Sequence, residues 1–168
     1  MIKMTQPSLA LHSYNVPDYE FKMWQSWKMP KNANVQNVVN WINWAIDHSE
    51  ELYLHNVIIN CHGSPGGLRI GENCRMTVND VCAFAPLRNK GAIGTIWLVA
   101  CEVAAGEGMY FCSQLAISTG CDVIAANATQ RMDVGFYLSF CPTNYIDDFE
   151  GTAYRFSPAG GYSVWSVD

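Results

Sequence analysis

Two residues of this 168-residue chain stand where chemistry could be done, His62 and Cys101. Each stands just past an apolar run, Val57-Ile-Ile two residues before His62 and Ile96-Trp-Leu-Val-Ala immediately before Cys101, and 39 positions separate them. An imidazole and a thiol brought to one place form a nucleophile and its proton partner. The imidazole favours the thiolate and later protonates a leaving amine. Gly63 permits a tight turn, and its N–H together with that of Cys101 would make an oxyanion hole. Such a set cleaves amides through a thioester and requires no cofactor and no metal.

The surrounding pattern must bring the two residues together. Val35, Val38, Val39, Ile42, Ala45 and Ile46 recur at helical spacing behind Asn34, a fitting N-cap. Leu54 to Asn60 reads as a strand whose Val57-Ile58-Ile59 run is of the continuous apolar kind found in buried parallel sheets, and it opens into a Gly-rich loop over 61–67. Thr77 to Asp80 has the form of a capping box and predicts a helix ending at Pro86. Thr95 to Ala100 is a second buried strand. Met109, Cys112, Leu115 and Ala116 line one stripe of a third helix, which Gly120 stops, and Cys121 to Ala126 is a third short strand. This β-α-β-α-β succession predicts a parallel sheet flanked by helices. Right-handed crossovers set the strands before His62 and Cys101 parallel, and ligands bind beyond the carboxyl ends of such strands. Before residue 34, Leu9 to Tyr14 reads as a strand. Toward the C-terminus, Val134, Phe136, Leu138 and Phe140 alternate, and Thr152–Phe156 and Tyr162–Val167 flank Ser-Pro-Ala-Gly-Gly as a hairpin or wide loop.

At Val57-Ile-Ile-Asn-Cys-His-Gly63 and Ile96-Trp-Leu-Val-Ala-Cys101 the sequence resembles the caspase-like clan of cysteine peptidases. These are the caspases, legumains, gingipains, clostripain and the self-processing domains of bacterial toxins, and the pattern is nearest to the bacterial members. Ala104-Ala-Gly106 through Thr119-Gly120 and Val123–Ala126 are similar to the helix and strand that follow the nucleophile there. The likeness spans about residues 52–130, and the run after Cys101 lacks the Arg-Gly of caspases. It implies a single domain over 1–168: a three-layer α/β/α fold with a mostly parallel sheet and an extra β hairpin near the C-terminus. It also implies a cysteine endopeptidase with Cys101 as nucleophile and His62 as general acid/base.

Composition narrows the alternatives. A net charge of −5, with 10 Lys and Arg spread along the chain, argues against nucleic acid. No segment reads as a membrane span or a secretory signal, which points to the cytoplasm or to delivery as a leaderless effector. Seven cysteines cannot all pair, and Cys82, Cys112 and Cys121 lie in apolar runs as packing thiols. Cys74 and Cys141 fall in loops, and only Cys101 stands at the start of a helical segment whose dipole would favour a thiolate. Cys61 next to His62 suggests a metal, but neighbouring strand residues face opposite ways. The glycines of 63–67 lack the Gly-Lys-Ser/Thr of a phosphate loop. His12, His48 and His55 read as structural or surface residues, Trp41 and Trp44 as packing, and Glu102 as a solvated charge.

The partner expected is a protein or peptide. Asn127, Ala128, Thr129, Gln130 and Asp133 follow the third strand and would wall the cleft, with part of 140–162 opposite. A basic substrate residue would need Asp122, Asp133, Asp147, Asp148 or Glu150; an acidic one would need Arg69, Arg131 or Arg155. The sequence leaves both open. It also leaves open a non-catalytic interaction module on the same fold, and an effector that cleaves a non-peptide amide.

Overall fold

The computed structural model describes residues 1–16, 21–130 and 142–166. In chain order it begins with β1 (Ile2–Lys3), β2 (Ser8–His12), β3 (Gln25–Lys28), helix α1 (Val35–His48) and β4 (Leu54–Asn60). A small three-stranded unit follows: β5 (His62–Ser64), β6 (Gly67–Gly71) and β7 (Cys74–Met76). A 3-10 segment (Val78–Phe84) then runs into α2 (Ala85–Lys90), β8 (Ile93–Val99), α3 (Gly108–Thr119) and β9 (Asp122–Ala126). β10 (Tyr145–Ile146), β11 (Ala153–Phe156) and β12 (Tyr162–Trp165) follow among the described residues.

Seven of these strands share one mixed sheet in the order β12-β11-β9-β8-β4-β2-β3. From β3 to β9 every neighbouring pair is parallel, and β11 and β12 close one edge as an antiparallel hairpin. The fold is therefore mixed α/β, with the C-terminal hairpin that its flanking strands predict.

The helices' position follows from the handedness of the crossovers. The chain moves across the sheet in one direction three times, β3 to β4, β4 to β8 and β8 to β9, and each of these connections carries a helix. The step from β2 to β3 runs the other way, and a right-handed crossover then puts its connection on the opposite face. Alternate strand residues confirm the division. Leu9, Leu11, Val57, Ile59, Ile96, Leu98, Val123 and Ala125 pack in one cluster with side chains of all three helices. Ala10, Ile58, Trp97 and Ile124 pack on the other face with Ile2, Met4, Phe21, Met23 and Ile146. In place of a second helical layer, the described residues cover that face with the β1–β10 pair and the segment leading into β3. The Trp97 indole N–H is satisfied there by Asn56 Oδ1 at 2.8 Å.

Local chemistry sets the element ends. The Asn34 side chain accepts from the Asn37 N–H while Asn37 Oδ1 accepts from the Asn34 N–H, a reciprocal cap on α1 worth about 1 kcal/mol. Gly120, at φ 72°, ends α3 as expected. Two expectations change. Pro86 does not end a helix: it sits in the first turn of α2, where its missing N–H has no intrahelical partner to lose. The Gly-rich stretch 61–67 is not an open loop but the first hairpin of the three-stranded unit. Val134, Phe136, Leu138 and Phe140 lie outside the described residues. Among the described residues, no helix is long and apolar enough to cross a membrane.

Candidate active site

β4 and β8 are direct parallel neighbours, with Asn60 paired to Val99 at their carboxyl ends. His62 lies just past the first strand and Cys101 just past the second, as the crossover argument requires. The Cys61 N–H still donates to the Val99 carbonyl at 3.3 Å, so the two chains separate only at the residues in question.

Beyond Cys61 the chain enters β5, and His62 is exposed at its first position. Its Nε2 lies 3.4 Å from the Asn15 carbonyl, on the loop that follows β2. That loop is fixed by the Ser13 N–H donating to Asn60 O at 2.8 Å and by Ser13 Oγ donating to Asn15 Oδ1 at 2.9 Å. Asn15 is not singled out as a site residue by the sequence reading. The carboxyl-end rule that singled out His62 and Cys101 applies equally to the segment after β2.

Cys101 is half-buried, and its Sγ donates to the Gln130 carbonyl at 3.7 Å. The Cys101 N–H has no acceptor among the described residues. The next residue, Glu102, adopts φ 56°, a left-handed conformation uncommon for a side chain of this type. Its N–H donates to Ala128 O at 2.9 Å, and its carboxylate accepts from the Thr129 hydroxyl at 2.9 Å. Helix α3 begins only at Gly108, so Cys101 does not start a helix and the macrodipole, confined to the first turn, does not act on it.

Gly63 and Cys101 meet through their backbones. A Cβ on Gly63 would stand 2.6 Å from Cys101 O, 2.8 Å from Val103 Cγ2 and 2.9 Å from Ala100 Cβ. Gly63 opposes Leu68 one step beyond Ser64 and Gly67, the pair that flanks the Pro65-Gly66 turn. In a two-residue hairpin the flanking pair exchanges both hydrogen bonds, so the Gly63 N–H points away from β6.

The segment after β9 divides in role. Gln130 reaches Cys101 through its carbonyl, while its side chain bridges to Glu150, donating to Glu150 O at 3.2 Å and accepting from Glu150 N at 3.0 Å. Ala128 and Thr129 hold Glu102. Asn127 instead faces β11, its Oδ1 accepting from the Thr152 N–H at 2.9 Å. That bond ties the segment to the residue before β11. Asp133, Arg131 and Cys141 lie outside the described residues. Arg155 is removed from the site: its guanidinium forks onto Asp122, at the amino end of β9.

The thiols separate by burial. Cys61 turns into the helix-side core, and burial pushes it up to about 12, with a backbone hydrogen bond from Arg69 opposing and the neighbouring Cys101 adding. Burial raises Cys121 to about 11 and Cys112 further still. Cys82 is exposed, contrary to its apolar surroundings in the sequence, because it projects outward from the 3-10 segment. Cys74 belongs to β7 rather than to a loop. His12 is buried and held, its Nδ1 3.1 Å from Asn60 Nδ2 and its Nε2 3.4 Å from Phe21 O. His48 stacks on Trp44, and His55 pairs with Glu51. Among the described residues no three His, Cys, Asp or Glu side chains gather as they would around a metal ion.

No curated protein matches the chain. Residues 32–143, which run from the cap of α1 past both His62 and Cys101, match the family model described as a domain of unknown function (DUF8616), and the chain belongs to that family.

Proposed function

We propose that the protein is a cysteine endopeptidase of caspase-like type, with Cys101 as nucleophile and His62 as general acid/base. One observation carries the reading: the two residues leave the carboxyl ends of adjacent parallel strands, and the backbones beyond them touch at Gly63 and Cys101. The parallel core closed by an antiparallel C-terminal hairpin supports a caspase-like sheet.

The chemistry follows from these groups. The Cys101 thiolate attacks a peptide carbonyl carbon, forming the C–S bond and pushing the carbonyl electrons onto oxygen. The N–H groups of Cys101 and Gly63 receive that oxyanion. The carbonyl re-forms as the C–N bond breaks, and His62 gives its proton to the departing amine. Water then attacks the thioester, His62 takes a proton from it, and the acid leaves as the thiol is restored.

The resting contacts favour a second reading, an interaction module without turnover. His62 Nε2 faces Asn15, and the Cys101 thiol faces Gln130, so each is engaged elsewhere. Apo sites are often loose in this way. A peptide carrying an electrophilic carbonyl decides between the two. An enzyme gains the peptide's mass at Cys101, and His62→Ala abolishes the reaction. A module that binds without chemistry stays unmodified.

A further inference from the structure

The three-stranded unit beyond β4 carries a row of side chains that the proposed reaction does not use. His62 pairs in register with Arg69, and Arg69 pairs in register with Arg75. Directly opposed residues of antiparallel strands project from the same face, with Cβ atoms about 5 Å apart. His62, Arg69 and Arg75 therefore form one line across β5, β6 and β7, all three exposed. Together with Gly63 and Ser64 they line a single pocket.

Two arginines placed opposite one another repel, and that juxtaposition costs stability unless an anion relieves it. Among the described residues neither guanidinium forms an ion pair, although Lys31, Lys90 and Arg155 each have a carboxylate partner. Glu107 borders the next depression along with Arg75 and leaves the Arg69–Arg75 face unpaired.

Arg75 is also held in place. Its Nη2 donates to Ser64 Oγ at 2.9 Å and to Pro65 O at 3.2 Å. A Cβ on Gly67 would stand 2.4 Å from Arg75 Cζ, so the guanidinium lies against a backbone that only glycine leaves clear. Fixing one nitrogen of the fork in this way leaves the donors of the other two for a planar oxyanion.

We infer that the Arg69–Arg75 pair is the subsite for a carboxylate on the leaving side of the substrate: an Asp or Glu just beyond the bond that is cut. The inference rests on the proposed dyad. His62 protonates the departing amine, so the departing fragment lies on the His62 side, and the next features along that side are the two arginines. Strands lie about 4.8 Å apart, so Arg75 is about 10 Å from His62, the reach of one to three peptide residues.

The protein and its Arg69→Gln/Arg75→Gln double variant are incubated with a proteome-derived peptide library, and both sides of each cut are read by mass spectrometry. Arg69→Gln alone serves if the double variant melts early. In parallel, Cys101 is alkylated with neutral iodoacetamide and with anionic iodoacetate. The expected result is an Asp/Glu preference within the first three leaving-side residues, reduced on the order of tenfold in the double variant. Cys101 should still react with iodoacetamide faster than Cys82, and its iodoacetate-to-iodoacetamide ratio should fall. Cleavage with no acidic preference, or a preference that survives the substitutions, overturns the inference and leaves the dyad standing. If no peptide is cut, the iodoacetate-to-iodoacetamide ratio at Cys101 decides: a ratio the substitutions do not lower overturns the subsite. Alkylation of Cys101 no faster than Cys82 and indifferent to His62→Ala overturns the dyad itself.

Discussion

The carbonyl oxygen of Cys101 lies 2.6 Å from the position a Cβ on residue 63 would occupy, which makes Gly63 the point at which the two halves of the candidate site meet. Two of the three nearest atoms belong to buried residues, Ala100 and Val103, and the third is backbone. None can swing aside as a flexible side chain would. Gly63→Ala should cost about 1–3 kcal/mol through overpacking, and by prising the hairpin from Cys101 it should lower turnover further. Urea unfolding read beside Cys101 alkylation checks both. An alanine variant with wild-type stability would mean that the two backbones are not in contact.

Cys101→Ala and His62→Ala should each abolish turnover and leave stability within about 1 kcal/mol of wild type, because neither side chain is in the core. Residues acting as one unit lose their effect together, so the double variant should be little worse than either single one. A His62→Ala protein that cleaves at a near-normal rate would remove His62 from the mechanism.

Arg155→Ala should lower stability by about 1 kcal/mol and leave cleavage preference untouched. Its partner Asp122 pairs with Thr95, near the amino end of the sheet, several residues from the edge where Cys101 emerges. A changed substrate profile in this variant would place a specificity pocket at the wrong end of the strands.

Much of this arrangement was legible in the sequence, and the residues show why. The Val57-Ile58-Ile59 run and the strand before Cys101 are apolar because both sheet faces are covered, and that pattern gives the bounds of β4 and places those of β8 within two residues. Asn34 and Gly120 mark helix ends by groups that satisfy or free the backbone. The sequence was poorest where local chemistry has two outcomes. Glycines at 63, 66 and 67 suit a loop and a hairpin equally, and the choice fell to pairing with 67–71, a tertiary matter. Cys82 lies among apolar residues, yet a 3-10 segment turns side chains by a different period from an α-helix and carries it outward. The Arg69–Arg75 row depends on strand register, which no periodicity in so short a stretch reveals.

The buried thiols make the fold sensitive to alkali. Cys61 and Cys121 are raised by burial from the ordinary 9.0 to about 12 and about 11, and Cys112 is raised as well. At low and neutral pH these thiols are protonated in both folded and unfolded chains, and stability is full. Above pH 9 the unfolded chain ionises them while the folded chain does not, so stability falls as pH rises toward the folded values. Each thiol contributes a slope of up to about 1.4 kcal/mol per pH unit in that window. Urea midpoints should therefore fall between about pH 8 and about pH 10, and Cys61→Ala should flatten the fall. A midpoint that stays level over this range would show that the thiols are not sealed from water.

Glu102 is where stability and activity should part. Its φ of 56° is held by the Ala128 carbonyl and by the Thr129 hydroxyl, and it orients the peptide that carries the Cys101 carbonyl. A side chain in this region costs about 1–2 kcal/mol that glycine does not incur. Glu102→Ala and Glu102→Gly both lose the bond to Thr129, so the difference between them isolates the backbone. The glycine variant should be the more stable of the two by about 1 kcal/mol. Alanine keeps its φ only because the surrounding bonds hold it, and it still narrows the conformations open to the Cys101–Glu102 peptide. Glycine widens them, so Cys101 and its N–H should be less well aimed and alkylation by an electrophilic peptide slower. Denaturation and labelling rates measured on the same two proteins test both halves. If the glycine variant is both more stable and equally fast, the left-handed turn serves the fold alone and does not aim the nucleophile.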